Sequence, residues 1–352
     1  MSDSTEPRPR LPDLDKHATD VARKLLKGIV TPLLGAGVNA CGRPVGFNWT
    51  VGDSSHLPVG RELAHFLAAE FDTPVALADD LLRVSQFIEV VDKSGGELYQ
   101  TLHQIFDADY PPGPVHELLA DVASILRRQS DRGTSVDGGM QVILTTNYDD
   151  ALERAFDAIG EPYDLITYVV ASPKEYRGCF MHWPPSTGGE PRRCIPIERA
   201  NEYAGLDLRK RTAIVKLHGA VRRSRPFGED NYVITEDHYV DYLTRTDISQ
   251  LLPSTVNERL KNSHLLFLGY GLADWNLRAI LRRIWSDQEL EYGSWAIQKP
   301  PAPADEAAKV VWNLEQAFWE GRAVEILGCD LGEYSEQLRT AFDARVAKVL
   351  GT

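Results

Sequence analysis

Small polar side chains follow one apolar segment of the chain. The strand-forming residues 142–144 run directly into TTNYDD (145–150), and a helical pattern of apolar residues begins after it. One polar residue is enough to cap that helix, and Asp149 can do so. Asparagine carries a donor and an acceptor on one short side chain. Thr146, Asn147 and Asp149 are therefore candidate ligand-facing residues, with helix capping as the alternative interpretation.

A glycine-rich corner ends an earlier apolar segment. Gly35-Ala36-Gly37 precedes a turn, and the N–H groups of such a corner can approach a phosphate. The segment matches the GxGxxA variant of the dinucleotide fingerprint. Its usual companion, an acidic residue at the end of a second strand about 20 residues on, is missing because residues 46–62 read as loop and helix. A standard dehydrogenase is disfavoured, and a tight turn without ligand remains the alternative.

Two later apolar segments also end in chemically useful residues. One finishes in His218-Gly219, and the other in a corner with Gly269 and Gly271, followed by Asp274. Imidazole titrates near neutral pH, so His218 could act as a general base. A core histidine that only satisfies a backbone carbonyl is the alternative.

The elements that carry these corners predict a fold. Apolar strands alternate with helical segments, which is typical of an α/β protein with a mostly parallel, Rossmann-like sheet and helices on both faces. Ligands of such sheets bind at the carboxyl ends of the strands. We therefore expect the four corners to lie along one edge of the sheet.

The remaining segments suggest how the chain is organised. Residues 1–14 are polar and proline-rich, which predicts a disordered arm. Residues 15–350 are predicted to form a single α/β domain. We expect a helical insertion at about 60–106 and an irregular insertion, rich in turn residues, at about 160–212.

Composition excludes several classes of function. The 352 residues carry a net charge of −13, which argues against sequence-independent binding to nucleic acid. No signal peptide or membrane-spanning segment is apparent, so a cytoplasmic location is expected. The four cysteines form no CxxC pair, which favours a reducing compartment and predicts no zinc site or other metal site.

The four corners together resemble the sirtuin family, and more closely its bacterial sirtuin-like branch. The resemblance covers about residues 30–340 and depends on the order and spacing of the corners. Sirtuin-like proteins have Gly-Ala-Gly, then Thr-Gln-Asn-hydrophobic-Asp, then a catalytic His before Gly, then a Gly-Thr-Ser or Gly-Tyr-Ser corner. The corresponding positions here are Gly35-Ala36-Gly37 with Asn39, Thr145-Thr146-Asn147-Tyr148-Asp149, His218-Gly219 and Gly269-Tyr270-Gly271.

Departures from the family pattern bear on the reaction. Thr146 replaces the Gln of the second corner, and Gly271 replaces the Ser of the last. Deacylating sirtuins hold a structural zinc through two CxxC pairs, which this sequence lacks. The resemblance therefore implies NAD cleavage more than protein deacylation. Members of the sirtuin-like bacterial branch often act in anti-phage defence by depleting NAD.

The resemblance also implies roles for individual residues. Asn147 would orient the nicotinamide ribose or the attacking water, and His218 would be the general base, so these two are the catalytic candidates. Asp149 would contact the nicotinamide carboxamide. The stretches 294–299 and 328–333 are expected to form the adenine wall. The candidates for binding NAD are Gly35, Ala36, Gly37, Asn39, Thr146, Asp149, Gly269, Gly271 and Asp274.

The function implied is that of an NAD glycohydrolase, which converts NAD to nicotinamide and ADP-ribose without a metal. The alternatives are an NAD-dependent protein deacylase, a non-catalytic NAD or ADP-ribose sensor, an ADP-ribosyltransferase or an unrelated α/β protein. A freely active NADase would harm its host, so we expect a homo-oligomer or a separate partner such as a HerA-type ATPase. The helices at 60–106 and the C-terminal helix near Phe342, Val346 and Val349 are the expected contact surfaces, and no direct contact with membrane or nucleic acid is expected.

Overall fold

A computed structural model gives the arrangement of most of the chain. It describes residues 13–53, 55–92, 96–133, 136–186, 192–223, 225, 227–244, 252–271, 278, 281, 292–302 and 304–350. Most of the predicted N-terminal arm (1–12) lies outside these residues, while its last residue, Leu14, already begins the first helix. No helix among the described residues is long and apolar enough to cross a membrane.

Strands and helices alternate along much of the chain. The strands are β1 (Val30–Leu34), β2 (Val142–Thr145), β3 (Tyr163–Tyr168), β4 (Phe180–Trp183), β5 (Ile195–Ile197), β6 (Thr212–Lys216), β7 (Gly219–Ala220), β8 (Asn231–Tyr232), β9 (His264–Leu268), β10 (Ser294–Gln298) and β11 (Val324–Gly328). The helices are α1 (Leu14–Leu25), α2 (Gly60–Glu70), α3 (Leu81–Val91), α4 (Glu97–Phe106), α5 (Pro114–Asp131), α6 (Ala151–Ala158), α7 (Glu236–Thr244), α8 (Ser254–Lys261), α9 (Glu306–Glu320) and α10 (Leu331–Leu350).

Nine of the described strands form one sheet in the order β11-β10-β9-β1-β2-β6-β3-β4-β5. All neighbours from β11 to β3 pair in parallel, and only β4 and β5 at one edge are antiparallel. The predicted α/β, Rossmann-like fold class is confirmed. From β1 the chain continues to β2 on one side and later returns to β9 on the other. The end of β1 is therefore the topological switch point, where ligands of such sheets bind.

Burial on both faces explains why the central strands are apolar throughout. Every residue of β1, β2 and β6 is buried. Successive side chains point to opposite faces, so Leu33 packs in one core cluster and Leu34 in the other. Helices α1, α5, α6 and α10 cover one face, and α7, α8 and α9 cover the opposite face.

The predicted helical stretch at about 60–106 contains α2, α3 and α4, named here the helical block. The block has its own apolar cluster, which includes Leu67, Val84 and Leu102. Tyr148, from the polar corner after β2, belongs to the same cluster and stacks edge-on against Phe106 with ring centroids 5.7 Å apart. The helical block is therefore packed directly onto one of the predicted site corners.

The stretch at about 160–212 is more regular than its sequence suggests, because it contains β3, β4 and β5. Strand β3 was not predicted from the sequence, because an aspartate interrupts the run of apolar residues that usually marks a buried strand. Asp164 is fully buried and accepts hydrogen bonds from His182 Nε2 at 2.9 Å and Arg211 Nε at 2.9 Å. The buried charge of Asp164, which made the strand hard to recognise, is therefore compensated by residues distant in the sequence.

The C-terminal helix does not present Phe342 as a contact surface. This side chain is 3% exposed and lies in the core cluster formed with α1 and α5. The expectation that Phe342 contributes to an interface is wrong, because the apolar stripe of α10 covers the sheet.

Glycines allow the ends of β1 and β9 to touch. Gly269 has a φ of +68°, and a Cβ there would collide with the backbone N of Val38. A Cβ on Gly37 would lie 2.7 Å from Gly269 Cα, and one on Gly35 would lie 2.6 Å from Gly269 O. Two backbone segments therefore meet at the switch point without side chains between them.

We expect Gly269→Ala to destabilise the fold by at least about 1–3 kcal/mol, because it adds a side chain in the left-handed region and forces the two corners apart. Chemical denaturation measures the loss. The matched control is Gly271→Ala, two residues on, whose Cβ would meet nothing within 4 Å. It should change the free energy of unfolding by less than about 0.5 kcal/mol. Equal effects of the two substitutions would contradict the packing role.

Candidate active site

A cleft of about 680 Å³ opens at the carboxyl edge of the sheet, between the strand corners and the first residues of α2 and α3. Asp274 lies outside the described residues, and the stretches 294–299 and 328–333, expected to wall the adenine, do not line this cleft. The predicted site residues that do line it are Gly35, Ala36, Gly37, Asn39, Thr146, Asn147, Asp149, His218, Gly269 and Gly271.

The first corner uses two of its N–H groups to hold β9. Gly35 N–H donates to Leu268 O at 3.0 Å, and Gly37 N–H donates to Gly269 O at 2.8 Å. These two glycines therefore pack closely against the backbone at the end of β9. Their predicted contact with a pyrophosphate stays a prediction, and it cannot use those two N–H groups while the corner is intact. No strand occurs in the described residues between β1 and α2, as the sequence indicated.

Hydrogen bonds between side chains and backbone connect the second corner to the end of β1. Thr145 Oγ1 donates to Leu34 O at 3.3 Å and accepts the N–H of Asn147 at 3.0 Å. The Asn147 side chain, 8% exposed, donates through Nδ2 to Gly35 O at 3.4 Å. Asn147 is therefore tied to the first corner while it lines the cleft, which leaves its amide in a defined orientation.

Asp149 has structural partners on both its side chain and its backbone. Its Oδ1 accepts the N–H of Ala151 at 3.1 Å at the start of α6, but the N-cap residue of α6 is Asp150, whose side chain makes no cap hydrogen bond, so the interpretation of Asp149 as the helix cap is wrong. Its carbonyl oxygen accepts a hydrogen bond from Lys216 Nζ, which also lies 2.8 Å from Glu153 Oε1. Asp149 still lines the cleft, so contact with a ligand stays a prediction.

His218 follows β6 and is 3% exposed. The Tyr239 hydroxyl lies 3.3 Å from its Nδ1, while its Nε2 is buried and has no hydrogen-bond partner among the described residues. Burial lowers the pKa of His218 to about 3, so the ring is neutral at pH 7. Gly219, with a φ of +84°, follows at once and allows the chain to turn into β7.

Asn39 lies between the cleft and a second cavity of about 260 Å³. Its Nδ2 donates to Pro58 O at 3.1 Å, while its Oδ1 is buried without a partner among the described residues. Cys41, His56 and His116 line the second cavity. Even so, no cluster of three His, Cys, Asp or Glu side chains that could hold a metal is found in the described part of the chain.

Several residues of the site were not predicted from the sequence. Arg61 and Asp79 line the cleft from the helical block and pair at 2.8 Å, which no sequence pattern indicated. Tyr239, in α7, was not predicted as a site residue. Lys216 did leave a signal, because a lone lysine in the apolar run TAIVKLHG must find a buried partner.

Comparison with known proteins gives one family. The family model described as a SIR2-like domain matches residues 141–327, slightly more than half of the chain. The match includes the corner with Asn147, the corner with His218 and the corner with Gly269, while Gly35 and Gly37 precede it. No curated protein matches the chain in a sequence search. The protein belongs to the SIR2-like family.

Proposed function

We propose that the protein is an NAD glycohydrolase, which splits NAD into nicotinamide and ADP-ribose. A SIR2-like domain is compatible with an NAD-related activity. The observation that carries the proposal is the presence of two residues in one cleft at the switch point: Asn147, whose amide is held in place, and His218, whose buried Nε2 has no partner among the described residues.

The unpartnered nitrogen of His218 supports a ligand in this cleft. Leaving a buried polar atom without a hydrogen bond costs about 1–3 kcal/mol, and a substrate hydroxyl or water would remove that cost. For Nε2 to accept a proton, Nδ1 must carry the other one and donate it to the Tyr239 hydroxyl oxygen, which lies 3.3 Å away. The low pKa keeps the ring neutral, so Nε2 can accept a hydrogen bond, but it also makes this imidazole a weaker base than an ordinary histidine.

The reaction assigns complementary tasks to the two residues. As the bond between C1′ of the ribose and the pyridine nitrogen breaks, its electron pair stays on nicotinamide, which leaves as a neutral molecule. Water adds to C1′, and its proton passes to His218. Asn147, a donor and an acceptor at once, would orient the ribose hydroxyls or the water. Because the substrate is already cationic at the leaving group, positioning and one base are sufficient.

The spacing of the four cysteines favours hydrolysis of NAD over protein deacylation. All four are free, Cys41 and Cys329 are buried, and no CxxC pair is present to build the zinc module of deacylating sirtuins. Chromatography of the products distinguishes the candidates. Free ADP-ribose supports hydrolysis, O-acyl-ADP-ribose formed with an acylated peptide identifies a deacylase, and NAD that stays intact for hours identifies a sensor.

We also propose, from the resemblance to the bacterial sirtuin-like branch, that this activity serves anti-phage defence and is controlled by homo-oligomerisation or a HerA-type ATPase. Light scattering at micromolar concentration, with NAD turnover measured in the same sample, tests control by assembly. A fully active monomer would contradict it.

We expect Asn147→Ala to lower NAD turnover by at least about 10²-fold, the usual loss for a positioned polar group that acts in the transition state. The melting temperature should stay close to that of the wild type, because among the described residues the Asn147 side chain makes a single hydrogen bond, the weak one to Gly35 O at 3.4 Å. The control is Asn262→Ala at the end of α8, which should be fully active. Wild-type turnover in folded Asn147→Ala would refute the assignment.

His218→Ala should lose NAD cleavage, by about 10²–10⁴-fold, yet retain NAD binding, since a general base acts mainly in the transition state. Calorimetric titration should show a Kd raised by no more than about tenfold, or about 1.4 kcal/mol. His264→Ala, at the amino end of β9, is the control and should keep both properties. If turnover survives in His218→Ala, the histidine is structural.

The pH dependence of kcat/KM tests the state of His218. Its pKa of about 3 lies below the ordinary 6.5, so the neutral, proton-accepting form persists in the folded enzyme down to mildly acidic pH. We expect kcat/KM to stay nearly constant from about pH 8 down to about pH 5, where an ordinary histidine would already be protonated. A loss of activity centred near pH 6.5 would show that His218 is not the desolvated base described here.

A further inference from the structure

A buried lysine lies directly beneath the candidate site. Lys216 is the last residue of β6 and is 1% exposed. Its ammonium group contacts Glu153 Oε1 at 2.8 Å and donates to the carbonyl oxygen of Asp149. The lysine lines neither of the two cavities, so it has no direct access to a ligand there.

The position of Lys216 connects the two catalytic candidates. It precedes His218 by two residues, and its backbone acceptor, Asp149, follows Asn147 by two residues. The hydrogen bond from the Lys216 ammonium to Asp149 O therefore connects the residues after β2 to the end of β6. Asp149 lies beyond the last residues at which the two strands pair. The last paired residues are Thr145 and Lys216, and beyond them a backbone hydrogen bond from Val221 N–H to Tyr148 O at 3.0 Å also joins the two corners.

Charged groups surround this link. Burial raises the pKa of the Glu153 carboxyl above its ordinary value, and the ammonium of Lys216 acts in the opposite direction. Asp150 also faces Lys216 electrostatically and is paired with Arg223 at 3.2 Å. The ammonium is thus compensated by Glu153, while Asp150 has its own cation.

Stability alone does not explain a buried ion pair at this place. Replacing such a pair with apolar residues of similar volume is often neutral or stabilising. An apolar pair could not, however, donate a hydrogen bond to the Asp149 carbonyl. That hydrogen bond is the property that distinguishes lysine here.

We propose that Lys216 is a positioning residue that holds the 147–149 corner at a fixed place relative to His218. Its effect on catalysis rests on the proposed NAD glycohydrolase function. Its effect on the position of the corner does not rest on that function, because the hydrogen bond from Lys216 to Asp149 O is present in the protein without substrate.

The test uses the double variant Lys216→Met/Glu153→Leu, which removes both charges and leaves no unpaired carboxylate. We expect it to fold, to bind NAD with a nearly unchanged KM, and to lose about 10²-fold in kcat, the loss that follows a displacement of about 1 Å at a reacting centre. Glu153→Gln keeps the Lys216 donor to the Asp149 carbonyl but removes the carboxylate that compensates its charge, so it should lower the melting temperature while the folded variant retains kcat within about threefold.

An ion pair away from the cleft, formed by a buried glutamate and a partly exposed arginine, provides the control. Arg127 Nε lies 2.9 Å from Glu161 Oε1 on α5 and the segment after α6, and neither residue lines the cleft. The melting temperature of Arg127→Met/Glu161→Leu reports the general effect of removing an ion pair, at a site where the arginine side chain is 34% exposed and Lys216 is 1% exposed. This control variant should leave kcat unchanged.

Hydrogen exchange supplies a readout that does not need turnover. Amides of residues 145–152 should exchange faster in Lys216→Met/Glu153→Leu than in the wild type, and at the wild-type rate in the Arg127 control. A folded Lys216 double variant with wild-type kcat overturns the proposal. If the wild type itself leaves NAD intact, the proposed function is wrong, and the positioning role of Lys216 is then decided by the hydrogen-exchange rates alone. Faster exchange in the Lys216 double variant supports the positioning role. Unchanged exchange contradicts it.

Discussion

The close approach of two backbone segments, at the ends of β1 and β9, is the constraint on which the rest of the site depends. Gly35, Gly37 and Gly269 leave no side chain between the segments, and the N–H groups of the first corner bond to carbonyls of the other. β1 can therefore sit in the centre of a parallel sheet with β2 on one side and β9 on the other. That arrangement creates the switch point where the cleft opens.

Buried polar groups around the cleft divide into two kinds by their hydrogen bonds. Thr145 and Lys216 have partners within the protein and hold backbone in place. His218 Nε2 and Asn39 Oδ1 are buried without partners in the described residues. Since an unsatisfied buried atom costs free energy, the second kind marks where a ligand would be stabilising. The same distinction explains why Asp149, conspicuous in sequence, has a largely structural set of contacts.

The strand-end corners could be predicted from the sequence, whereas strand β3 and the cleft residues from the helical block could not. The position of the corners along one edge of the sheet was predictable, because the carboxyl ends of parallel strands meet at the same edge. The strand β3 was not, since Asp164 breaks its apolar pattern and is compensated by His182 and Arg211, which are far away in sequence. The roles of Arg61 and Asp79 were also invisible, because they depend on where the helical block packs.

The sequence by itself determined the α/β fold class, the family and the identity of the residues at the ends of the four strands. These follow from local properties: the periodicity of apolar residues, the conformational freedom of glycine and the chemistry of each side chain. Only the tertiary structure decided which N–H groups of the glycine corner are already used, that His218 is desolvated with one nitrogen unpartnered, and that Lys216 lies beneath Asp149. Those properties depend on hydrogen-bond partners and burial, which are set by segments more than sixty residues apart in the chain.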